Sequence, residues 1–269
     1  MWKKISIIVL LMVIFVGFSL FAADKEGITP VKMGMPMDKI VFTSDRSPLT
    51  PPGYPNWDIY IMNRDGTGIT RLTTNPAIDN HPDLSGDGTK IVFSSNRDGD
   101  FEIYTALVVN VEGTITQITF NDTTPDRHPH WSHDGRYIIF SSKRKCGTLK
   151  RDQCSIPVDP ECDDSGRDGS LYEGLAVYDS LLDVFYQLDL RTAAPWWPAD
   201  NATNEGHASF SPDGSKILFA GDTAGHGNDW EVYVMDWGGG SSISNLEQVT
   251  QGPWGGPNPI QISAGAHFS

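Results

Sequence analysis

The sequence predicts an all-β protein, a β-propeller of four-stranded antiparallel blades, from three observations. First, a ten-residue pattern recurs: Gly86-Asp87-Gly88-Thr89-Lys90-Ile91-Val92-Phe93-Ser94-Ser95 returns at His133–Ser142 and again at Pro212–Gly221, with a degenerate copy at Pro36–Ser44 that lacks the Asp-Gly. Second, the aligned Phe42, Phe93, Phe140 and Phe219 lie 51, 47 and 79 residues apart. Such a period belongs to repeat architectures built from one supersecondary unit. Third, each copy holds four short runs of strand-forming residues separated by turn signals, which is the content of one blade.

Taken in order, each unit opens on a segment ahead of the Asp-Gly, and that dipeptide joins it to the next run as a hairpin. Glycine accepts the positive φ of such turns at no steric cost. The second run is the Ile-x-Phe segment. The third follows a polar turn: Trp57–Met62, Phe101–Tyr104, Leu175–Tyr178 and Trp230–Met235. The fourth closes the unit: Ile69–Thr73, Ile115–Thr119, Val184–Leu188 and Leu246–Thr250. No segment outside the N-terminus shows a helical period, so no helix is expected there.

The N-terminus reads as a signal peptide over residues 1–22. Lys3 and Lys4 precede an uncharged apolar run from Ile5 to Phe21, and Ala22 offers a small residue for cleavage. The 17-residue run only reaches the bottom of the range needed to cross a membrane, so no stable span is expected after cleavage. No cysteine ends the run, which excludes lipid attachment there. The propeller is then expected over 23–269, in the periplasm or secreted.

Composition narrows the function classes. Thirty-four acidic and 20 basic residues give a net charge of −14, and loss of Lys3 and Lys4 leaves −16. A surface this acidic repels phosphate backbones and excludes nucleic-acid binding through a basic face. The Gly-x-Ser-x-Gly elbow, the Walker loop, Gly-x-Gly-x-x-Gly and His-Glu-x-x-His are all missing.

The recurring His-Pro-x-x-Ser-x-Asp-Gly-x-x-Ile-x-Phe-Ser-Ser pattern, followed by Glu-Ile-Tyr and Gln-Ile-Thr, resembles the TolB-type, WD-like propeller repeat. The resemblance covers nearly all the chain from about Pro30 onward. It implies an exported, non-enzymatic module or scaffold, a monomer that binds a protein or glycan partner in the cell envelope. The same repeat is similar to the propellers of prolyl oligopeptidase-type peptidases, tricorn-like proteases and oligogalacturonate lyases. A peptidase would need a hydrolase domain beyond this repeat. The lyases imply the alternative function, a metal-dependent polysaccharide lyase or hydrolase whose channel-facing histidines hold a divalent cation.

The candidate site residues follow the repeat. His81, His128 and His207 hold one position in successive blades, each two residues after an acid: Asp79, Asp126 and Glu205. In extended chain, residues i and i+2 face one side, so each blade is expected to present a carboxylate beside an imidazole. On innermost strands such pairs would line the channel as a ligand site. Alternatively, each pair hydrogen-bonds the backbone between blades, as the histidine of WD repeats does, and a feature of every blade is most simply architectural. His130 and His267 share a position held by Asp83 in blade two and Ser209 in blade four. That break in symmetry adds His130 to the candidates.

An insertion of about 32 residues, 143–174, enters blade three and carries Cys146, Cys154 and Cys162. In an oxidising compartment, one disulfide with three possible pairings is expected. The eight-residue spacing does not fit a zinc site, and Asp164–Leu175 lacks the ligands of a calcium loop. Trp196, Trp197, Trp230, Trp237 and Trp254 are either aromatic platforms or packed between blades. The tail Ala264–Ser269 aligns with Gly206–Ser211 and so begins a fifth blade, as expected for part of a propeller of six or more blades. The rival is a closed ring of four in which the tail supplies an inner strand to blade one.

Overall fold

The computed structural model describes residues 39–46, 57–120, 125–142, 174–194, 204–222 and 230–250. The expected signal peptide, the three cysteines with their insertion, Trp196, Trp197, Trp254 and the start of a fifth blade all lie outside them.

Four antiparallel sheets follow one another along the chain. Blade one holds β1 (Lys39–Ser44), β2 (Asp58–Asn63) and β3 (Thr70–Arg71), three strands among the described residues. Blade two holds β4 (Asp79–Leu84), β5 (Lys90–Ser95), β6 (Glu102–Leu107) and β7 (Thr116–Gln117). Blade three holds β8 (Asp126–Trp131), β9 (Tyr137–Ser142), β10 (Gly174–Asp179) and β11 (Val184–Gln187). Blade four holds β12 (Asn204–Phe210), β13 (Lys216–Asp222), β14 (Glu231–Trp237) and β15 (Ile243–Gln248). Each strand pairs with the next in sequence, so every connection within a blade is a hairpin. The first strands of blades two to four pack side by side, β4 on β8 and β8 on β12, and the second strand of each blade packs on the first strand of the next: β1 on β4, β5 on β8 and β9 on β12.

Why the second strands read as unbroken apolar runs is now clear. A strand inside a stack of blades is buried on both faces, so both sets of alternating side chains must be apolar. Ile91 and Phe93 of β5 pack toward blade one with Ile59, whereas Val92 packs toward blade three with Trp131, Ile138 and Phe140. In β9, Ile139 turns the other way, into the core shared with Phe210, Phe219 and Tyr233 of blade four. Phe93, Phe140 and Phe219 are wholly buried, and burying each ring is worth about 1.5–3 kcal/mol. Trp237 lies in the same interblade core, edge-on to Tyr137 at 4.7 Å and 4.8 Å from Phe210, so it is a packing residue.

The expectation of no helix is corrected in three places. Val108–Asn110 forms a 3-10 turn that runs into helix α1 (Val111–Thr114), and helix α2 (Leu190–Ala193) follows β11. Each is about one turn long, too short to produce a periodic signal. Val111 and Leu190 are buried, so tertiary packing holds these turns. No helix among the described residues is long and apolar enough to cross a membrane.

The Ser-x-Asp-Gly turns that join the first two strands are nearly identical. Ser85, Ser132 and Ser211 hydroxyls donate to Asp87, Asp134 and Asp213 at 2.5–2.6 Å and accept the backbone N–H of Lys90, Tyr137 and Lys216 at 2.9–3.0 Å. Gly88, Gly135 and Gly214 take φ of 70–71° and donate to the serine carbonyls. The Ile-Thr motif is equally architectural. Thr73, Thr119 and Thr250 hydroxyls accept the N–H of Ile59, Ile103 and Val232 at 2.8–3.0 Å. Thr119 and Thr250 also donate to Glu102 and Glu231. Blade three has Gly174 and Asp189 at these two positions, so it departs from the pair where the insertion joins β10.

Candidate functional site

Each first strand is interrupted near its start. The pairing of β4 with β5 shifts register between Asn80 and Asp83, that of β8 with β9 between Arg127 and His130, and that of β12 with β13 between Gly206 and Ser209. The residues left out of the ladder are His81-Pro82, His128-Pro129 and His207-Ala208. Proline has no N–H to give to a ladder, and it is tolerated at such bulges. The histidines take φ of 50°, 55° and 53°, the left-handed region. A side chain other than glycine is costly there, although histidine is among those found in it more often.

These bulges bring the three imidazoles together. The His81 and His128 ring centroids lie 4.1 Å apart at 59°, and those of His128 and His207 lie 3.9 Å apart at 37°. The row crosses three inner strands and three blades. The Nδ1 atoms of His81 and His128 are buried with no hydrogen-bond partner. Burial lowers the His81 pKa to about 4 and that of His128 to about 2, helped by the neighbouring histidines and Arg127. Both are therefore neutral at pH 7. Among the described residues, neither Nδ1 makes an interblade backbone hydrogen bond.

In blade two the carboxylate two residues before the imidazole turns elsewhere. The bulge breaks the alternation between the two positions. Asp79, wholly buried, instead receives Arg97 Nη2 at 2.9 Å, and the Arg97 guanidinium also lies over Phe93 and Tyr104. Asp126 is wholly buried, and the Glu205 backbone pairs with Gly221. His130 places its Nδ1 3.5 Å from Asp83 Oδ2, and the same carboxylate accepts the Trp131 N–H at 2.8 Å. Thus the two residues that broke the repeat's symmetry face each other across a blade boundary. Among the described residues, no three His, Cys, Asp or Glu side chains are arranged to hold a metal ion.

Two features were not found from the sequence. Beside the row, Thr43, Trp57, Asn80 and His81 line an open depression of about 290 Å³, and Trp57 is 39% exposed. Arg127, next to His128, stacks 4.3 Å over the Phe101 ring. Its position is Asn80 in blade two and Gly206 in blade four, so a charge that breaks symmetry was there to be read.

Hairpin-built, four-stranded sheets in tandem, with their first strands side by side, define a β-propeller. This chain is a β-propeller. The family profile of the TolB beta propeller domain matches residues 38–155. Among solved structures, the putative TolB from Agrobacterium tumefaciens is similar with a TM-score of 0.54 and 19% identity, over 79% of this chain and 61% of that one. TolB from Acinetobacter baumannii is similar with a TM-score of 0.52 and 19% identity, over 80% and 42%. The chain thus spans less than two thirds of the length of these relatives, 61% of one and 42% of the other. A manganese-bound oligogalacturonate lyase reaches only 0.36 and 11% identity over 74% of this chain, a likeness without weight for activity. No curated protein sequence matches the chain.

Proposed function

We propose that the protein is an exported, non-enzymatic propeller that binds a protein or glycan partner in the cell envelope through its inner-strand histidine row. One observation carries this reading: three successive blades hold a histidine at positive φ, and two of these rings bury an Nδ1 that nothing satisfies. Backbone strain of this kind costs about 1–3 kcal/mol per residue and gathers at functional sites. A buried unmet polar atom costs a similar amount. Three blades bear the cost together, and a bound ligand is what would repay it. The TolB-like fold supports a binding role, and export with removal of residues 1–22 is part of the same reading.

The test is site-specific photo-crosslinking in cells. A photoreactive residue in place of Trp57, at the depression beside His81, should yield a discrete adduct, whereas one in place of Val109, 77% exposed on the 3-10 turn, should not. Equal labelling from both positions, or none from Trp57, would reject the reading. Thermal unfolding with chelator and with manganese, calcium or zinc separates the alternative. A metal-dependent rise in Tm for the wild type that vanishes in His128→Ala would favour a metal-dependent lyase or hydrolase, because a ligand that binds only the native state raises its Tm.

A further inference from the structure

Arginines that are half-buried in this fold are matched with carboxylates. Arg71 lies 2.7 Å from Asp58, Arg97 2.9 Å from Asp79, and Arg136 2.7 Å from Asp179. Each neutralises a wholly or almost wholly buried acid, which is the ordinary reason to draw a guanidinium into a protein. Arg127 is the exception. It is half-buried on β8 between Asp126 and His128, and its guanidinium rests on Phe101 at 4.3 Å. Its Nε is buried without a hydrogen bond, and among the described residues no carboxylate pairs with it. In a chain of net charge −14, acids to pair with it are plentiful. Among the described residues, this cation stands open.

The residue at the equivalent place on the adjacent inner strand is Asn80, whose Oδ1 is also buried without a partner. An unmet cationic donor therefore stands on one inner strand and an unmet amide acceptor on the next, each followed in the chain by a histidine of the stacked row. Arg127 suits a carboxylate, and Asn80 Oδ1 needs an N–H or O–H. A simple anion would meet only the first need. An acidic residue in a peptide brings its carboxylate and its backbone N–H groups together.

We infer that Arg127, Asn80 and the His81–His128 step form a subsite for an acidic residue of a partner polypeptide, its carboxylate on Arg127 and a backbone N–H on Asn80. The inference rests on the binding role proposed above and names the chemistry that role would use. Phe101 holds the guanidinium plane by cation–π stacking, so the donor edge is presented without the entropy cost of ordering a free arginine. In an acidic protein, a guanidinium open beside the histidine row admits an acidic segment where most of the surface repels it, which turns charge into specificity.

The experiment titrates the full chain near neutral pH, at matched ionic strength, with four probes. These are a capped tri-glutamate peptide, its tri-glutamine counterpart, digalacturonate and inorganic phosphate. The readouts are Trp57 fluorescence and the imidazole C–H resonances of His81 and His128. Tri-glutamate should bind saturably and shift both imidazoles, with tri-glutamine at least about tenfold weaker. Arg127→Gln should weaken tri-glutamate about tenfold or more while leaving Tm within a few degrees, and Arg127→Lys should recover part of the loss because it keeps the charge but not the fork. Equal binding of the two peptides, or unchanged binding in both arginine variants, would overturn the subsite. Tighter Arg127-dependent binding of digalacturonate or phosphate would overturn its assignment to a peptide. The crosslink from position 57 keeps the two readings apart: an adduct that persists in Arg127→Gln leaves the partner and removes the subsite, whereas its absence from wild type removes the partner.

Discussion

The two ends of one inner strand repeat with equal fidelity and mean different things. At the far end of β4, β8 and β12, the Ser-x-Asp-Gly turn closes every hydrogen bond it opens: hydroxyl to carboxylate, backbone to hydroxyl, and glycine at the one φ that needs it. Near the start of the same strands, the histidine bulge has a non-glycine residue at positive φ. It also stacks imidazole on imidazole and leaves two ring nitrogens unmet. Repetition in three blades therefore does not separate architecture from site. Saturation of polar groups does: a feature that completes its own bonding stabilises the fold, and one that leaves bonds open is built for something else.

The largest expected separation of the two ends is in acid. Two of the turn carboxylates sit low: Asp87, whose charged form is hydrogen-bonded by Ser85 and the Thr89 backbone, and Asp213, at about 2 because Ser211 and the Ser215 backbone do the same. Their contribution is present above the ordinary carboxylate range and is lost only as pH falls through the folded value. At the bulge, burial lowers His81 to about 4 and His128 to about 2, while the unfolded chain takes up those protons near 6.5. Below 6.5 the unfolded state thus binds more protons, and stability falls with decreasing pH. Each histidine contributes up to about 1.4 kcal/mol per pH unit, so the pair reaches several kcal/mol by pH 4. Denaturant unfolding of wild type and a His81→Asn/His128→Asn double variant between pH 7 and 4 should show this slope in the wild type only. Equal slopes would mean that the bulge imidazoles are protonated in the fold.

Next in size is a glycine that has no positive φ. A Cβ on Gly86 would lie 2.0 Å from the backbone oxygen of His133, at the equivalent place in the neighbouring turn. Neighbouring turns touch backbone to side-chain position, and backbone does not give way cheaply. Gly86→Ala should cost about 3 kcal/mol, read as a lower denaturation midpoint. A loss under about 1 kcal/mol would mean that blades two and three slide readily at their turns, which would weaken the contrast with the bulge.

Most of the turn end was legible in the sequence, because Asp-Gly between two apolar runs has one physical meaning and Ile-x-Phe on a doubly buried strand has another. The blade order and the equivalence of His81, His128 and His207 were legible for the same reason. The bulge was not. Alternation along a strand predicted that Asp79 and His81 share a face, and the prediction assumed a regular ladder. His-Pro breaks that ladder, and the carboxylate goes to Arg97 instead. Arg127 could have been read as the charged residue in a place otherwise held by Asn80 and Gly206. That Asp79 takes Arg97 while Arg127 has no acid among the described residues depends on packing across the sheet, which no spacing encodes. The single-turn helices were beyond reach because one turn has no period.

A paired substitution then asks what each end is for. Asp134→Ala removes the acceptor for the Ser132 hydroxyl and the Arg136 N–H and should cost about 1–2 kcal/mol. His128→Gly places at φ 55° the residue that accepts this conformation freely. It should leave stability unchanged or raise it by up to about 1 kcal/mol, even though an imidazole has been taken from the stack. Thermal midpoints of the two variants decide between stability and function as the reason for the bulge. A loss in His128→Gly as large as that in Asp134→Ala would return the histidine to architecture.

The smallest effect concerns the pair at the blade boundary, where the sequence suggested a site and the geometry gives a contact. His130 Nδ1 stands 3.5 Å from Asp83 Oδ2, with side chains 20% and 32% exposed, and the same oxygen accepts the Trp131 N–H at 2.8 Å. Asp83→Ala should therefore cost about 1 kcal/mol, nearly all of it from the backbone bond, because Trp131 is buried and its N–H loses its acceptor. His130→Ala should cost less than about 0.5 kcal/mol, since water reaches both side chains and screens the pair. A double-mutant cycle at pH 7 isolates the direct term. Coupling of about 0.3 kcal/mol or less keeps His130 a boundary contact. Coupling above about 1 kcal/mol would mean that a charged His130 locks blade three to blade two and belongs with the site after all.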